Sequence, residues 1–337
     1  MTKFKIFAII NATILKSGKN TMSNEKIYLG IDLGGTFIKG GVVDREGNIL
    51  ATGKVATEAQ LGAVRVAENI ASLIEELIEK SGVQREAIVG VGIGSPGMVD
   101  SAAGVIIYAN NLPFNSFPLA YEIERRTGFA AKVANDANAA TLGEVKFGSA
   151  RGRSSVVMLT VGTGVGGGVI IDGKLFEGNR SAGAELGHMT LISGGEECTC
   201  GRRGCLECYA SATALIRDTK RKMQERPDST MWEVGSLDVV DGMTAFSRKD
   251  TDDAAREVVD SFIRHLADGI LSFANVFRPE MIIIGGGISA EGEKLLSPLR
   301  EIVNREIYAG TAGPSVELVV ASLANKAGTL GAAALLM

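Results

Sequence analysis

The stretch Ile27-Tyr-Leu-Gly-Ile-Asp-Leu-Gly-Gly-Thr-Phe-Ile-Lys-Gly-Gly-Val-Val43 decides the reading of the fold. An almost wholly apolar run, 27–33, enters Gly34-Gly35-Thr36 and leaves as a second apolar run, 37–43, which predicts strand, glycine turn, strand. Asp44-Arg-Glu-Gly47 then turns the chain into a third strand at 48–55. The pattern restarts downstream, with a strand at 155–160, a glycine turn at 162–168, a strand at 169–171 and an Asp172-Gly173 turn. Aligning Gly41-Val42-Val43 with Gly168-Val169-Ile170 gives an internal repeat at an offset of 127 residues. A duplicated hairpin-then-α/β unit predicts two related α/β halves facing one another.

The rest of the chain fits that plan. Ala67, Ile70, Ala71, Ile74, Leu77 and Ile78 recur at helical spacing before Ser81-Gly82. Strands are expected at 88–93 and 130–134, a short helix at 121–126 and another at 137–146. Later helices are expected at 210–225, stopped by Pro227, and at 252–277, whose apolar residues share one face. A strand at 281–284 runs into Gly285-Gly286-Gly287, a strand follows at 316–321, and an apolar helix begins near Lys326.

Composition narrows the function. With 35 Lys+Arg against 39 Asp+Glu, the chain lacks the basic surface needed to bind nucleic acid or an anionic membrane, so neither is an expected partner. Glycine reaches 43 of 337 residues with only 7 prolines, so it serves turns and close backbone approaches inside folded structure. Two stretches imitate membrane elements. Residues 3–15 have a basic start and an apolar run but no small-residue cleavage site, and Met22 precedes the first strand, so 1–23 reads as a non-essential extension. Residues 154–171 carry no charge, yet their glycines mark two strands around a tight loop. A cytoplasmic location is the expectation.

All four cysteines, Cys198, Cys200, Cys205 and Cys208, fall close together in a long chain, which favours a metal cluster over disulfides. Cys198, Cys200 and Cys205 with His188 upstream make the Cys₃His set of a closed, structural Zn²⁺ site. Cys208 is read as a spare buried thiol and His265 as a structural helix residue.

Three glycine turns follow apolar strands: Asp32-Leu-Gly-Gly-Thr36, Thr160-Val-Gly-Thr-Gly-Val-Gly-Gly-Gly168 and Gly285-Gly-Gly-Ile-Ser289. Glycine lets backbone N–H groups crowd around a phosphate, and two of the turns occupy matching repeat positions, so a nucleotide held between the halves is expected. Neither a P-loop nor a dinucleotide fingerprint followed by a helix is present. Asp32, at a strand end beside such a loop, suits Mg²⁺.

Asp32-Leu-Gly-Gly-Thr36, Glu185-Leu-Gly-His188 and Cys198-Thr-Cys-Gly-Arg-Arg-Gly-Cys-Leu-Glu207 together resemble the ROK family of bacterial sugar kinases and repressors, over residues 26–337. The resemblance implies the actin-like fold shared by actin, Hsp70 and sugar kinases: two duplicated α/β domains flanking a cleft. The small domain is expected at 24–134 plus 324–337, and the large one, with the zinc motif, at 135–323. Within the family the chain looks most like ATP-dependent glucokinases, with N-acetylhexosamine, fructose and mannose as alternative substrates, polyphosphate as an alternative donor and the repressors as another class. The repressor reading needs a helix-turn-helix ahead of the kinase body, and the residues before Asp32 show no two-helix pattern.

Residue by residue, the resemblance makes Asp136 the general base and Asn135 the holder of a sugar hydroxyl, although Asp at a helix start is also a favoured N-cap. It assigns Glu185, His188 and Glu207 to ring hydroxyls, and Gly94 and Asn111 are expected to add contacts. The ATP–Mg²⁺ set is Asp32, Gly34, Gly35, Thr36, Lys39, Gly162, Thr163, Gly164, Gly286 and Gly287. Hexose and ATP are the expected small-molecule partners, and a homodimer is expected from family habit.

Overall fold

The computed structural model of the protein describes residues 26–337, and the expected N-terminal extension lies outside the described residues. The opening stretch folds as read: β1 (Ile27–Leu33) and β2 (Phe37–Val43) form a hairpin, and β3 (Ile49–Ala56) extends it. The chain returns through β4 (Ile88–Ser95), makes a small antiparallel sheet of β5 (Met98–Asp100), β6 (Val105–Tyr108) and β7 (Asn115–Phe117), and re-enters as β8 (Ala131–Asn135). The first large sheet has the order β3-β2-β1-β4-β8.

The second copy is built alike from β9 (Val156–Val161), β10 (Val165–Ile171), β11 (Lys174–Leu175), β12 (Met281–Gly285) and β13 (Glu317–Val320), in the order β11-β10-β9-β12-β13. In each sheet the hairpin is antiparallel and the next two strands add in parallel, so the sequence repeat is a repeat of topology. The hairpins differ by one residue. Leu33 pairs with Ile38 in the first, whereas Val161 pairs with Val165 in the second. The uncharged stretch 154–171 is therefore β9 and β10. No helix among the described residues is long and apolar enough to cross a membrane.

Helices cover these sheets because their apolar residues share faces. They are α1 (Ala63–Ser81), α2 (Leu119–Thr127), α3 (Asp136–Phe147), α4 (Glu207–Ala210), α5 (Ala212–Glu225), α6 (Asp253–Phe277), α7 (Glu293–Glu306) and α8 (Ala327–Ala334). Helix α1 buries Val66, Ile70, Leu73, Ile74 and Leu77 against the first sheet and ends at Gly82, whose φ of 68° is the left-handed value a glycine C-cap adopts readily. Helix α6 does the same for the second core with Val259, Phe262, Ile263, Leu266, Ile270 and Phe273, capped by Asp252. The helix expected at 210–225 is broken at Ser211, whose side chain caps α5 and sets α4 apart.

The apolar C-terminal helix α8 explains several glycines. A Cβ on Gly30 of β1 would lie 2.0 Å from the Thr329 carbonyl oxygen, and one on Gly92 of β4 would lie 1.8 Å from that of Ala332. α8 thus lies flush on the first sheet. Its other neighbour is α3, where a Cβ on Gly331 would meet the Ala139 carbonyl oxygen at 2.0 Å. This tight pair carries the start of α3, and with it Asp136, into the cleft between the two halves.

Candidate active site

β8 ends at Asn135 and α3 begins at Asp136, so the sheet edge delivers both side chains to one cavity of about 840 Å³. Asn135, not Asp136, is the N-cap: its Oδ1 accepts from the Ala137 N–H at 2.9 Å and the Asn138 N–H at 3.2 Å, while its Nδ2 donates to the Gly97 carbonyl at 3.1 Å. This corrects the capping alternative for Asp136. The helix starts one residue earlier than its apolar pattern suggests, because an Asn side chain in extended conformation already fills the cap.

Asp136 accepts from the Ala137 N–H at 2.9 Å, and its other oxygen has no partner among the described residues. Water reaches the side chain from the open side, but protein crowds it elsewhere, and that desolvation pushes its carboxyl above the ordinary value of 3.8. The Ala137 N–H opposes the shift; the charges of Asp32 and Glu185 add to it. Asp32 is likewise raised by burial and partly held down by Lys39, which faces it across the β1–β2 ladder. Its carboxyl packs on Gly328, where an added Cβ would come within 2.5 Å of Cγ. Mutually repelling carboxyls at a strand end suit a divalent cation, which passes the chemical test for Mg²⁺.

The opposite wall carries Glu185 and His188, with Cys200 and Glu207. The Glu185 side chain makes no hydrogen bond among the described residues and faces the cavity. Glu207 is half-buried; its Oε2 accepts from the Val165 N–H at 3.0 Å, so one oxygen serves the second glycine loop. A clasp closes this wall across the cleft: Ser101 Oγ donates to Glu177 Oε2 at 2.9 Å, the Ser101 N–H donates to Ser181 Oγ at 3.2 Å, and Arg180 pairs with Asp100. Residues 177–184 carried no pattern in the sequence, and left-handed φ values at Arg180, Ser181 and Ala184 show how irregular this backbone is. Asn110 and Thr160 also line the cavity without having been anticipated.

His188, Cys198, Cys200 and Cys205 converge, with one ligand atom from each lying within 4.8 Å of all the others. Cys198 Sγ is 3.6 Å from His188 Nδ1, and the Cys200 and Cys205 sulfurs are 3.7 Å apart. A tetrahedron of ~2.3 Å Zn–S bonds has edges of about 3.8 Å, so the residues fit Zn²⁺. Burial pushes the Cys205 thiol up to about 12, so a thiolate there needs a cation to form. Nδ1 is the nitrogen aimed at the sulfurs, which orients Nε2 away from them. Cys208 stays outside the quartet, its thiol donating to the Glu197 carbonyl at 3.4 Å. His265 packs on Tyr209 with ring centroids 5.1 Å apart, a structural position in α6.

The second and third glycine turns reach the cavity through Gly162, Thr163, Gly164 and Gly286. Asp32, the first turn Gly34-Gly35-Thr36 and Lys39 lie outside the cavity lining, as does Gly287. Asn111 sits instead against the first turn, where a Cβ on Gly35 would be 3.8 Å from its own Cβ; its neighbour Asn110 takes the lining position. Gly94 is buried in β4, where the absence of a side chain admits Ala139 and the Asp136 backbone. Gly94 lies within β4, where adjacent residues point to opposite faces. Asn110, Asn111 and Gly34–Thr36 lie instead in irregular backbone outside the strands, whose facing no period predicts.

The family comparison agrees with this geometry. The sequence model of the ROK family matches residues 28–337. The glucokinase of Streptomyces coelicolor is 39% identical over 320 residues, covering 91% of this chain and 96% of that protein. A crystal structure of a ROK family glucokinase from Streptomyces griseus in complex with glucose and AMPPNP aligns with a TM-score of 0.77 at 37% identity, over 92% of this chain and 98% of that one. The xylose repressor of Caldicellulosiruptor bescii is 31% identical over 266 residues, 79% of this chain and 66% of that protein. With duplicated sheets, a cysteine–histidine quartet beside an acidic cleft and a family match across nearly all the described residues, the chain belongs to the ROK family.

Proposed function

We propose that this protein is an ATP-dependent hexose kinase, that glucose is its hexose, and that Asp136 is the general base. The observation that carries the reading is the placement of a desolvated Asp136 on the cavity floor, between a wall bearing Glu185 and His188 and the glycine turns at Gly162–Gly164. Glucokinase relatives at 39% identity, and the glucose and AMPPNP in the Streptomyces griseus enzyme, support both substrates.

In this reading Asn135, Glu185, His188 and Glu207 hold ring hydroxyls and leave the 6-hydroxyl beside Asp136, with Asn111 and Gly94 shaping the same region from behind. As that oxygen attacks the γ-phosphorus, its proton passes to Asp136, the bond to the β-phosphate oxygen breaks, and hexose 6-phosphate and ADP result. Positioning and charge neutralisation supply most of the acceleration, and a placed base supplies about 10²–10⁴-fold. Asp32 would hold Mg²⁺, which neutralises phosphate charge when bound. The backbones of Gly34, Gly35, Thr36, Gly162, Thr163, Gly164, Gly286 and Gly287, with Lys39, serve the nucleotide phosphates, the first turn meeting them from across the cleft. His188 and the three cysteines would hold Zn²⁺ with no open position, so it orients the His188 ring and takes no part in the transfer.

The division into domains at 134/135 and 323/324 belongs to the same reading, supported by the seat of α8 on the first sheet. A homodimer completes it, and sedimentation velocity measures it directly.

The test is an ADP-release assay over glucose, mannose, fructose and N-acetylhexosamines, with ATP and polyphosphate as donors. Glucose with ATP is expected to give the highest kcat/KM. A zinc-replete preparation that phosphorylates no hexose would refute the reading.

A further inference from the structure

We propose that Thr57 and Thr213 are positioning residues that tie back the carbonyls of the first and second glycine turns and so aim the remaining N–H groups at phosphate. A hydrogen-bond accounting of each turn carries this inference. In the second turn, the Ala212 N–H donates to the Gly162 carbonyl at 2.7 Å, Thr213 Oγ1 donates to the Thr163 carbonyl at 2.7 Å, and the Gly162 N–H closes on the Gly164 carbonyl at 2.9 Å. Glu207 takes the Val165 N–H. Every carbonyl of the turn is thereby occupied, while the consecutive N–H groups of Thr163 and Gly164 donate to no acceptor among the described residues.

The first turn is built on the same plan. Thr57, fully buried at 0% exposure, donates Oγ1 to the Gly34 carbonyl at 2.6 Å and its N–H to the Thr36 carbonyl at 3.0 Å. The Gly34 N–H closes on the Phe37 carbonyl at 3.1 Å, and the N–H groups of Gly35 and Thr36 again have no acceptor among the described residues. In a planar trans peptide the C=O and the following N–H point in opposite directions. Holding the Gly34 oxygen therefore aims the Gly35 N–H, and holding the Gly162 and Thr163 oxygens aims those of Thr163 and Gly164, away from the tether. Two consecutive, outward N–H groups form an anion-binding concavity. The tethers come from unrelated elements, the residue after β3 in one half and the first turn of α5 in the other. The second joins the nucleotide turn to α5, which follows the zinc loop after the short helix α4.

The inference rests on the reading of these turns as phosphate sites, and the experiment separates the two. Thr57→Val and Thr213→Val each remove one hydroxyl donor at constant shape. Each is expected to raise KM for ATP, and the dissociation constant of a non-hydrolysable ATP analogue, about 3–10-fold while leaving KM for hexose unchanged. Thr57→Ser and Thr213→Ser keep the donor and are expected to recover the original ATP value. Gly164→Ala serves as the control, because its Cβ would come within 2.2 Å of Glu207 Oε2 and disturb the turn itself. If Gly164→Ala weakens nucleotide binding and the valine variants do not, or if they weaken both substrates alike, the positioning role is overturned and the phosphate site stands. If Gly164→Ala leaves nucleotide affinity unchanged, both fall.

Discussion

Asn135 fills the N-cap that its neighbour Asp136 would otherwise take, accepting the Ala137 and Asn138 N–H groups on one oxygen. Asp136 is left with a free oxygen at the floor of the cleft, raised by desolvation and by the charges of Asp32 and Glu185. A residue type that usually caps helices is thereby free to exchange a proton.

Asp136→Asn is expected to cut kcat by about 10²–10⁴-fold with hexose binding nearly intact, because the amide keeps the shape and loses the base. The same substitution should raise Tm at neutral pH. The folded chain holds this proton to a higher pH than the unfolded chain does, so stability falls as pH rises between the two values and stays lowered above them. Removing the titrating group removes that loss. Steady-state kinetics, hexose titration and thermal melts check all three, and a variant that turns over normally would take Asp136 out of the mechanism.

The pH profile follows from the same shift. The base acts ionised, so kcat is expected to fall as pH drops through the raised Asp136 value, with an acidic limb above the ordinary 3.8. Glu185→Gln deletes one of the charges that raise it and should move that limb to lower pH. A limb unmoved by Glu185→Gln, or moved upward, contradicts the coupling.

Metal content distinguishes the four cysteines. The protein is expected to carry one zinc per chain. Cys205→Ser should weaken its retention by more than the ~10–100-fold typical of losing an outer-shell partner, lower Tm and raise hexose KM through His188. Cys208→Ala, outside the quartet, should keep its zinc. Elemental analysis after dialysis against a chelator reads the difference.

The contact between α3 and α8 has no room to spare. Gly331→Ala would place a methyl 2.0 Å from the Ala139 carbonyl oxygen and is expected to cost about 1–3 kcal/mol, read as a drop in Tm. Because α3 begins at Asp136, kcat should fall as well, without a change in zinc content.

Much of this was legible beforehand because it is local. The strand–glycine–strand pattern at 27–43 and its return at 155–171 are set by side-chain alternation and by the backbone freedom of glycine. The first hairpin formed as read, whereas in the second the turn read at 162–168 is only 162–164 and the returning strand begins at Val165. The zinc quartet was legible for the same reason: a short loop with thiols at Cys198, Cys200 and Cys205 cannot hold them far apart. The strands β5 to β7 were missed because each is only three or four residues long, too short to show a period.

What the sequence by itself determined is the duplicated α/β plan, the glycine turns and the chemistry of the metal cluster, since each is written in neighbouring residues. Which side chain caps α3, which face of β4 buries Gly94, how the Ser101–Ser181 clasp closes the wall and where Thr57 and Thr213 attach were decided only in three dimensions. Those choices depend on hydrogen-bond partners and close contacts contributed by segments distant in the chain, and burial selects among them only once both sheets and their helices have packed.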